Sequence, residues 1–330
     1  MAASTTTAGR TGPGHARTLA RREAATAYLF IAPYLIIAGI FTLGLLVYAF
    51  YISFTDLKSS LSRTSNFVGL TNYINAFKDP EFRISLINVF WYFVIVTTFQ
   101  TIGAILVATL LNSRIKGKRF YRTLFYAPSV ASSAVISMIF TWLYLRTGWI
   151  NYFLGTDISW LQDARGLFQI LLAPLGINVT GTFAKGPSVT WMAIMFMNIF
   201  TTIPSLMVIF LAALQDIPTY VYEAAEIDGS TGTHAFFHIT LPLLRPVITL
   251  VVVLGTIGTF NVFDQAFIMT QGGPLKTTLT PVLLIYNKTL GQATSANASL
   301  AAAMAFILAA IIFFFTFIQR RYIEDASERF

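Results

Sequence analysis

Six stretches of this chain are apolar over a length that can cross a bilayer: about 27–54, 84–111, 121–145, 188–212, 246–269 and 298–318. A helix covers the hydrocarbon core with about 20 residues. Backbone groups in lipid must find partners within their own segment, so each stretch predicts a transmembrane helix. The connections are more polar and punctuated by Gly and Pro. Residues 166–177, GLFQILLAPLGI, fit neither class, being apolar but short and interrupted by Pro174. They read as an interfacial or re-entrant piece, with a seventh crossing as the rival. The expected fold is all-α, a membrane protein of about six transmembrane helices.

Composition agrees. Of 330 residues 55% are hydrophobic and 11% charged, against about 25% charged in soluble domains. The absence of cysteine excludes disulfides, thiolate metal sites and a cysteine nucleophile. The net charge of +8 is not a nucleic-acid signal, because the basic residues sit at span ends, where they report topology. Arg10, Arg17, Arg21 and Arg22 precede the first span. Arg114, Lys116, Lys118, Arg119 and Arg122 crowd the second connection without an acid, and Arg320, Arg321 and Arg329 follow the last span. With six spans these fall on one side, so both termini are expected in the cytoplasm. The Ala-, Thr- and Arg-rich residues 1–26 predict a disordered cytoplasmic tail. Residues 27–321 form the membrane domain, with a core of about 84–318, and 322–330 form a second short tail.

The most ordered polar stretch is EAAEIDGSTGTHAFFHITLPLLRP, Glu223 to Pro246, between the fourth and fifth spans. Pro218 can start a short helix, Tyr220 to Ile227 supply two turns, and Gly229 and Gly232 break it. Glu223 can pair with a basic group or cap the helix start. A plain loop needs none of this order; a socket for a second protein does. On the orientation above, this loop, 220–235, faces the cytoplasm.

The same run resembles the EAA motif of ABC importer permeases, carried here by Glu223, Ala224, Ala225, Gly229, Ile239, Leu241 and Pro242. VGLTNYINAFKDPEFRISLINVFWY from Val68, RTLFYAPSV from Arg122 and FDQAFIMTQGGPLKTTLTPVLLIYNKTL from Phe263 are similar to the maltose-type, carbohydrate-importing branch. The resemblance covers about 27–321. It implies the type I ABC importer permease fold, a second permease subunit as heterodimer partner, two cytoplasmic ATPase subunits and an external solute-binding protein. It also implies that Glu223, Ala224, Ala225, Asp228 and Gly229 form the coupling contact with an ATPase.

No catalytic constellation is present. His234 and His238 are four apart but have no evident third metal ligand, and no phosphate-binding GxxxxGK[ST] loop exists. The chain is therefore expected to be neither an enzyme nor a holder of a cofactor. Candidate solute contacts are polar residues within spans. Asn198, Thr201, Thr202 and Ser205 recur at three- and four-residue spacing, on one helix face. Thr256, Thr259, Asn261, Asp264 and Gln265 lie in the fifth span, where Phe260 or Phe263 can stack on a sugar ring. Such Ser, Thr and Asn residues can equally be helix-packing glue. Placed on the family, Asn198, Ser205 and Thr259 fall at or near sugar-contacting positions. Where the maltose permease has a glycine and an aromatic, this chain has Thr202 and Ser205, which leaves the solute open. The pathway residues are thus Asn198, Thr202, Ser205, Thr259 and Phe263. The alternative function is an ion-coupled secondary transporter or channel, which normally needs mid-membrane charges that are scarce here.

Overall fold

The computed structural model describes residues 13–58, 65–113, 116–290 and 296–324. Two compact units result, residues 1–52 and 53–330. In the first, α1 (Pro13–Ile37) runs through a π-helical stretch, Ala38–Gly44, into α2 (Leu45–Ile52). Residues 21–52 form one apolar span with none of its most apolar window buried. Of the tail expected over 1–26, residues 13–26 are helical and belong to α1, and 1–12 lie outside the described residues. Ala and Arg are strong helix formers, which is why the span extends backwards.

The second unit is a helical bundle. A short α3 (Thr71–Lys78) leads to α4 (Pro80–Asn112), the long second span. Asp79 caps α4, accepting from Glu81 N at 2.8 Å, and Pro80 occupies the first helical position. Next come α5 (Lys118–Val130) and α6 (Ser133–Leu143), then the short helices α7 (Trp149–Leu154) and α8 (Leu167–Leu172). The fourth span is α9 (Val189–Asp216), followed by α10 (Thr219–Ile227), α11 (Gly232–Ala235), a π-helical turn and α12 (Leu241–Leu243). The fifth span is split into α13 (Arg245–Phe260) and α14 (Asp264–Met269). Beyond it lie α15 (Pro281–Leu290) and the last span, α16 (Ala298–Glu324). The tail expected over 322–330 is helical as far as Glu324, and 325–330 lie outside the described residues.

Among the described residues, five helices are long and apolar enough to cross, or six when α5 and α6 count as one span. Here the structure differs from the sequence reading. The third span, expected as one helix over about 121–145, is bent by 95° between α5 and α6. Pro128 sits inside the last turn of α5, and Ser132 caps α6 by accepting from Val135 N. Residues 166–177 form α8 and a single tight turn, Ala173–Leu175, too short to cross.

The bundle is organised around α4, which packs most extensively on α9 and also on α13. Tyr92 and Trp191, both fully buried, pack with ring centroids 4.7 Å apart and planes tilted by 32°. Trp191 Nε1 donates to Asn88 O at 2.8 Å, and Asn88 Nδ2 donates to Lys276 O and Leu279 O, each at 2.9 Å. One asparagine thus ties α4 to the stretch after the fifth span. Lys288 adds an ion pair to Asp79 at 3.2 Å, and Lys276 pairs with Glu81. A second apolar cluster, with Leu111, Phe210 and Leu244, closes the other end of the bundle.

Candidate functional site

Two places in the second unit concentrate the residues singled out from the sequence. The first is a cavity of about 500 Å³ within the bundle. All five pathway residues, Asn198, Thr202, Ser205, Thr259 and Phe263, line it, and so does Thr201. Their helix face is real: 198, 201, 202 and 205 follow the period of α9. The side chains of Asn198 and Ser205 have no hydrogen-bond partner among the described residues. Thr202 Oγ1 lies 2.8 Å from Asn198 O and 2.9 Å from Gln100 Oε1. Thr259 is almost fully buried and donates to Thr256 O at 3.0 Å.

Both irregular backbone stretches of the unit's spans reach this cavity. Pro128, Ser129, Ala131 and Ser133 line it from the α5–α6 bend, and Asn261, Phe263, Asp264 and Gln265 from the α13–α14 break. Non-helical backbone at membrane depth is tolerated where it lines a cavity, because water or solute can satisfy the freed groups. Phe263 shows how tight the second break is: its φ of −135° and ψ of −60° are non-helical. Its ring stacks on Phe267 at 5.3 Å and meets Tyr286 at 5.1 Å.

Two expectations change. Phe260 does not face the cavity; it is buried between Phe93 at 5.2 Å and Phe315 at 5.5 Å. Thr256 is also turned away, donating to Gln319 Oε1 at 3.0 Å. Conversely, the sequence reading missed Gln100 and Tyr92 on α4. A lone amide in the middle of a long apolar helix was the available signal for Gln100. Its side chain is nearly fully buried, and a Cβ at Gly255 would sit 2.5 Å from its Nε2, so the facing helix leaves room for it. Tyr92 Oη and Ser133 Oγ are buried without a partner among the described residues, and both residues border the cavity.

The second place is α10. Pro218 stands at its N-cap, so Glu223, in the second turn, does not cap its start and forms no ion pair among the described residues. The C-terminus is closed in the manner of a Schellman motif: Ser230 N donates to Ala225 O at 2.9 Å and Gly229 N to Glu226 O at 3.1 Å. This requires a left-handed residue, and Gly229 has φ +77°. Gly232 opens α11 behind a Thr231 cap rather than breaking a helix. Tyr220, Glu223, Ala224 and Ile227 share the outer face, and Ile227 is 87% exposed. Ala225, expected beside Ala224 on the contact face, turns inward and is buried, because it lies on the opposite side of the same two turns. Tyr222 Oη, 3.1 Å from Thr240 Oγ1, anchors the inner face.

Residues 100–325 match the family model described as binding-protein-dependent transport system inner membrane component. The chain is 30% identical over 306 residues to the probable ABC transporter permease protein YurN of Bacillus subtilis, covering 91% of this chain and 97% of that one. It is equally 30% identical over 306 residues to the sn-glycerol-3-phosphate transport system permease protein UgpA of Escherichia coli, covering 90% and 94%. A crystal structure of a bacterial ABC transporter involved in import of the acidic polysaccharide alginate superposes with a TM-score of 0.75 at 18% identity, over 92% and 96% of the chains. The fold is that of a type I ABC importer permease. This chain belongs to the family of inner-membrane components of binding-protein-dependent ABC importers. It is a multi-pass membrane subunit that works with an external solute-binding protein. ATP hydrolysis resides in separate subunits, and the ion-coupled alternative is set aside.

Proposed function

We propose that the cavity beside α9 is this subunit's share of the route for a sugar or related polyol, and that α10 is the surface through which ATP-driven motion enters. The observation that supports the route most directly is convergence. Polar side chains from α4, α9 and α13, among them Tyr92, Asn198 and Ser205 without protein partners among the described residues, meet at one space bordered by both breaks in the spans. Neutral amides and hydroxyls offer donors and acceptors to a hydroxyl-rich solute without burying a charge, which costs about 2.5–3.5 kcal/mol at the bilayer centre.

The outer face of α10 supports the coupling role. It presents a small Ala224 between Tyr220, Glu223 and Ile227, a shape that admits close approach of another surface. The assembly implied is a heterodimer of this chain with a second permease subunit, two ATPase subunits on the cytoplasmic side, and an external binding protein. Both termini then lie in the cytoplasm, an orientation that the basic residues flanking the spans support. The test is reconstitution of the complex in liposomes with uptake and solute-stimulated ATPase measured together. Asn198→Ala should weaken uptake with basal ATPase retained, and Gly229→Asp should abolish the stimulation. Normal values in both variants reject the assignment.

A further inference from the structure

We propose that the solute accepted by this chain carries no anionic group, and that Asp264 is the residue that enforces this. The inference rests on the route proposed above and names the chemistry the route selects. Among the described residues lining the cavity there is no Lys, Arg or His, and Asp264 is the one carboxylate. Its side chain is exposed and has neither an ion pair nor a hydrogen-bond partner among the described residues, so no neighbouring cation neutralises it. It stands at the first position of α14, directly after the break that also delivers Asn261 and Phe263 to the cavity wall.

A carboxylate is an acceptor only. It can take an O–H from a polyol, but it gives nothing to a phosphate or a uronate. The remaining polar groups are amides and hydroxyls, and those of Tyr92 and Ser133 are buried with no protein partner. Hydroxyls both donate and accept, and so match other hydroxyls. A unit negative charge held in a space of this size stays within roughly 10 Å of Asp264, where, at an effective dielectric of about 20, repulsion weakens binding by about tenfold. The wall therefore favours an uncharged polyhydroxy compound.

The experiment uses the whole transporter in lipid nanodiscs, arrested with ATP analogue and without its binding protein, so that upstream selection is removed. Radiolabelled pairs differing only in charge are compared by equilibrium dialysis: galactose with galacturonate, and glycerol with glycerol 3-phosphate. The neutral member should bind about tenfold tighter or better. Asp264→Asn should narrow the gap by about tenfold through stronger binding of the charged member, and Asp264→Lys should reverse its sign. High salt should narrow the gap in the unmodified protein and leave Asp264→Asn unchanged. Equal binding within pairs, or a gap that survives Asp264→Asn, overturns the proposal. If Asn198→Ala still weakens the neutral members in that case, the route stands and only the charge rule falls. If no probe responds to Asn198→Ala, or none binds, the route falls and the charge rule with it.

Discussion

Thr202 Oγ1 and Gln100 Oε1 lie 2.9 Å apart, joining the middle of α9 to the middle of α4 across 102 positions of sequence. Thr202 has a single proton, and Asn198 O, at 2.8 Å, competes for it. With the Gln100 amide turned over, its N–H would donate to Thr202 while Thr202 donates to Asn198. In both orientations the amide stays at the cavity wall. Gln100→Leu keeps the volume and leaves Thr202 its backbone partner. Stability should fall by about 0.6 kcal/mol, the average for such interhelical bonds, while uptake at low solute falls severalfold. A thermal-unfolding series beside uptake kinetics separates the two; uptake equal to that of the unmodified protein would remove Gln100 from the route.

Asn198 is the cleaner single test of the α9 face, since its side chain has no protein partner to lose. Deleting one hydrogen bond to solute costs roughly 0.5–1.5 kcal/mol. Asn198→Ala should therefore raise the solute concentration for half-maximal uptake by about two- to tenfold, with the complex still assembled on size exclusion. Dissociation of the complex instead would make Asn198 a packing residue.

At Gly229 the cost is conformational rather than steric. An added Cβ meets nothing within 4 Å, but φ is +77°. Gly229→Ala should cost about 1–2 kcal/mol locally, whereas Gly229→Asn should cost less, because Asn tolerates the left-handed region. Solute-stimulated ATPase should follow that order, glycine above asparagine above alanine, with membrane insertion constant throughout. An alanine variant that couples normally would show that the closed end of α10 is dispensable.

Topology can be read by single-cysteine labelling on a cysteine-free background. Ser113→Cys and Thr231→Cys should react only from the cytoplasm. On the other side, Thr277 is half-buried and bonded to Ser188, at 3.1 Å, so the neighbouring Leu275, 85% exposed, is the better reporter. Leu275→Cys should react only from outside. With Ser113→Cys still cytoplasmic, labelling of Thr231→Cys from outside and of Leu275→Cys from the cytoplasm would mean an extra crossing between 113 and 231 and reopen 166–177.

The loop between α7 and α8 offers a pH test. Hydrogen bonds from Arg165, its Nη2 2.6 Å from Asp163 Oδ2, hold the Asp163 carboxyl below the usual carboxylate range of about 4. A depressed folded-state value contributes stability above the unfolded value and loses it as pH falls through the folded one. The loop's attachment to α9, through Thr190 Oγ1 to Asp163 O at 3.0 Å, should thus be constant from pH 5 to 8 and weaken below about pH 4. Hydrogen exchange over 160–190 should show that acid loss in the unmodified protein and not in Asp163→Asn.

The spans were legible because an apolar run of 20 or more residues has few other uses in a chain this poor in charge. The short helix α10 was legible because Pro218 and Gly229 are punctuation with a fixed mechanical meaning. The breaks were not. Ala131–Ser132 and Asn261–Phe263 differ little in hydropathy from their neighbours, so an averaged signal runs straight through them. Pro128 was visible, but an isolated proline inside an apolar helix does not say whether the helix bends by a few degrees or by 95°. Gln100 escaped because its polar neighbours on the same face, Thr97 and Thr101, are short threonines in a long apolar helix and stand out less than the Asn- and Thr-bearing face of α9. Phe260 and Phe263 are three apart in the fifth span, yet the break between α13 and α14 sends one into the core and the other to the cavity.

Pro204 interrupts the hydrogen-bond ladder of α9 halfway along its length. Beside it, the Cδ1 of Ile203 occupies space on α4 that a Cβ at Gly103 would need, only 2.5 Å away. The weakest turn of the helix is therefore splinted from outside, and α9 with α4 can swing as a stiff beam rather than fold at its middle. Along the chain, α10 follows the foot of that beam after only Ile217 and Pro218. At 1.5 Å per residue, Asn198 stands roughly 27 Å above Asp216. A tilt of about 5° at the foot then carries the cavity wall sideways by about 2 Å, close to the width of a hydrogen bond to solute.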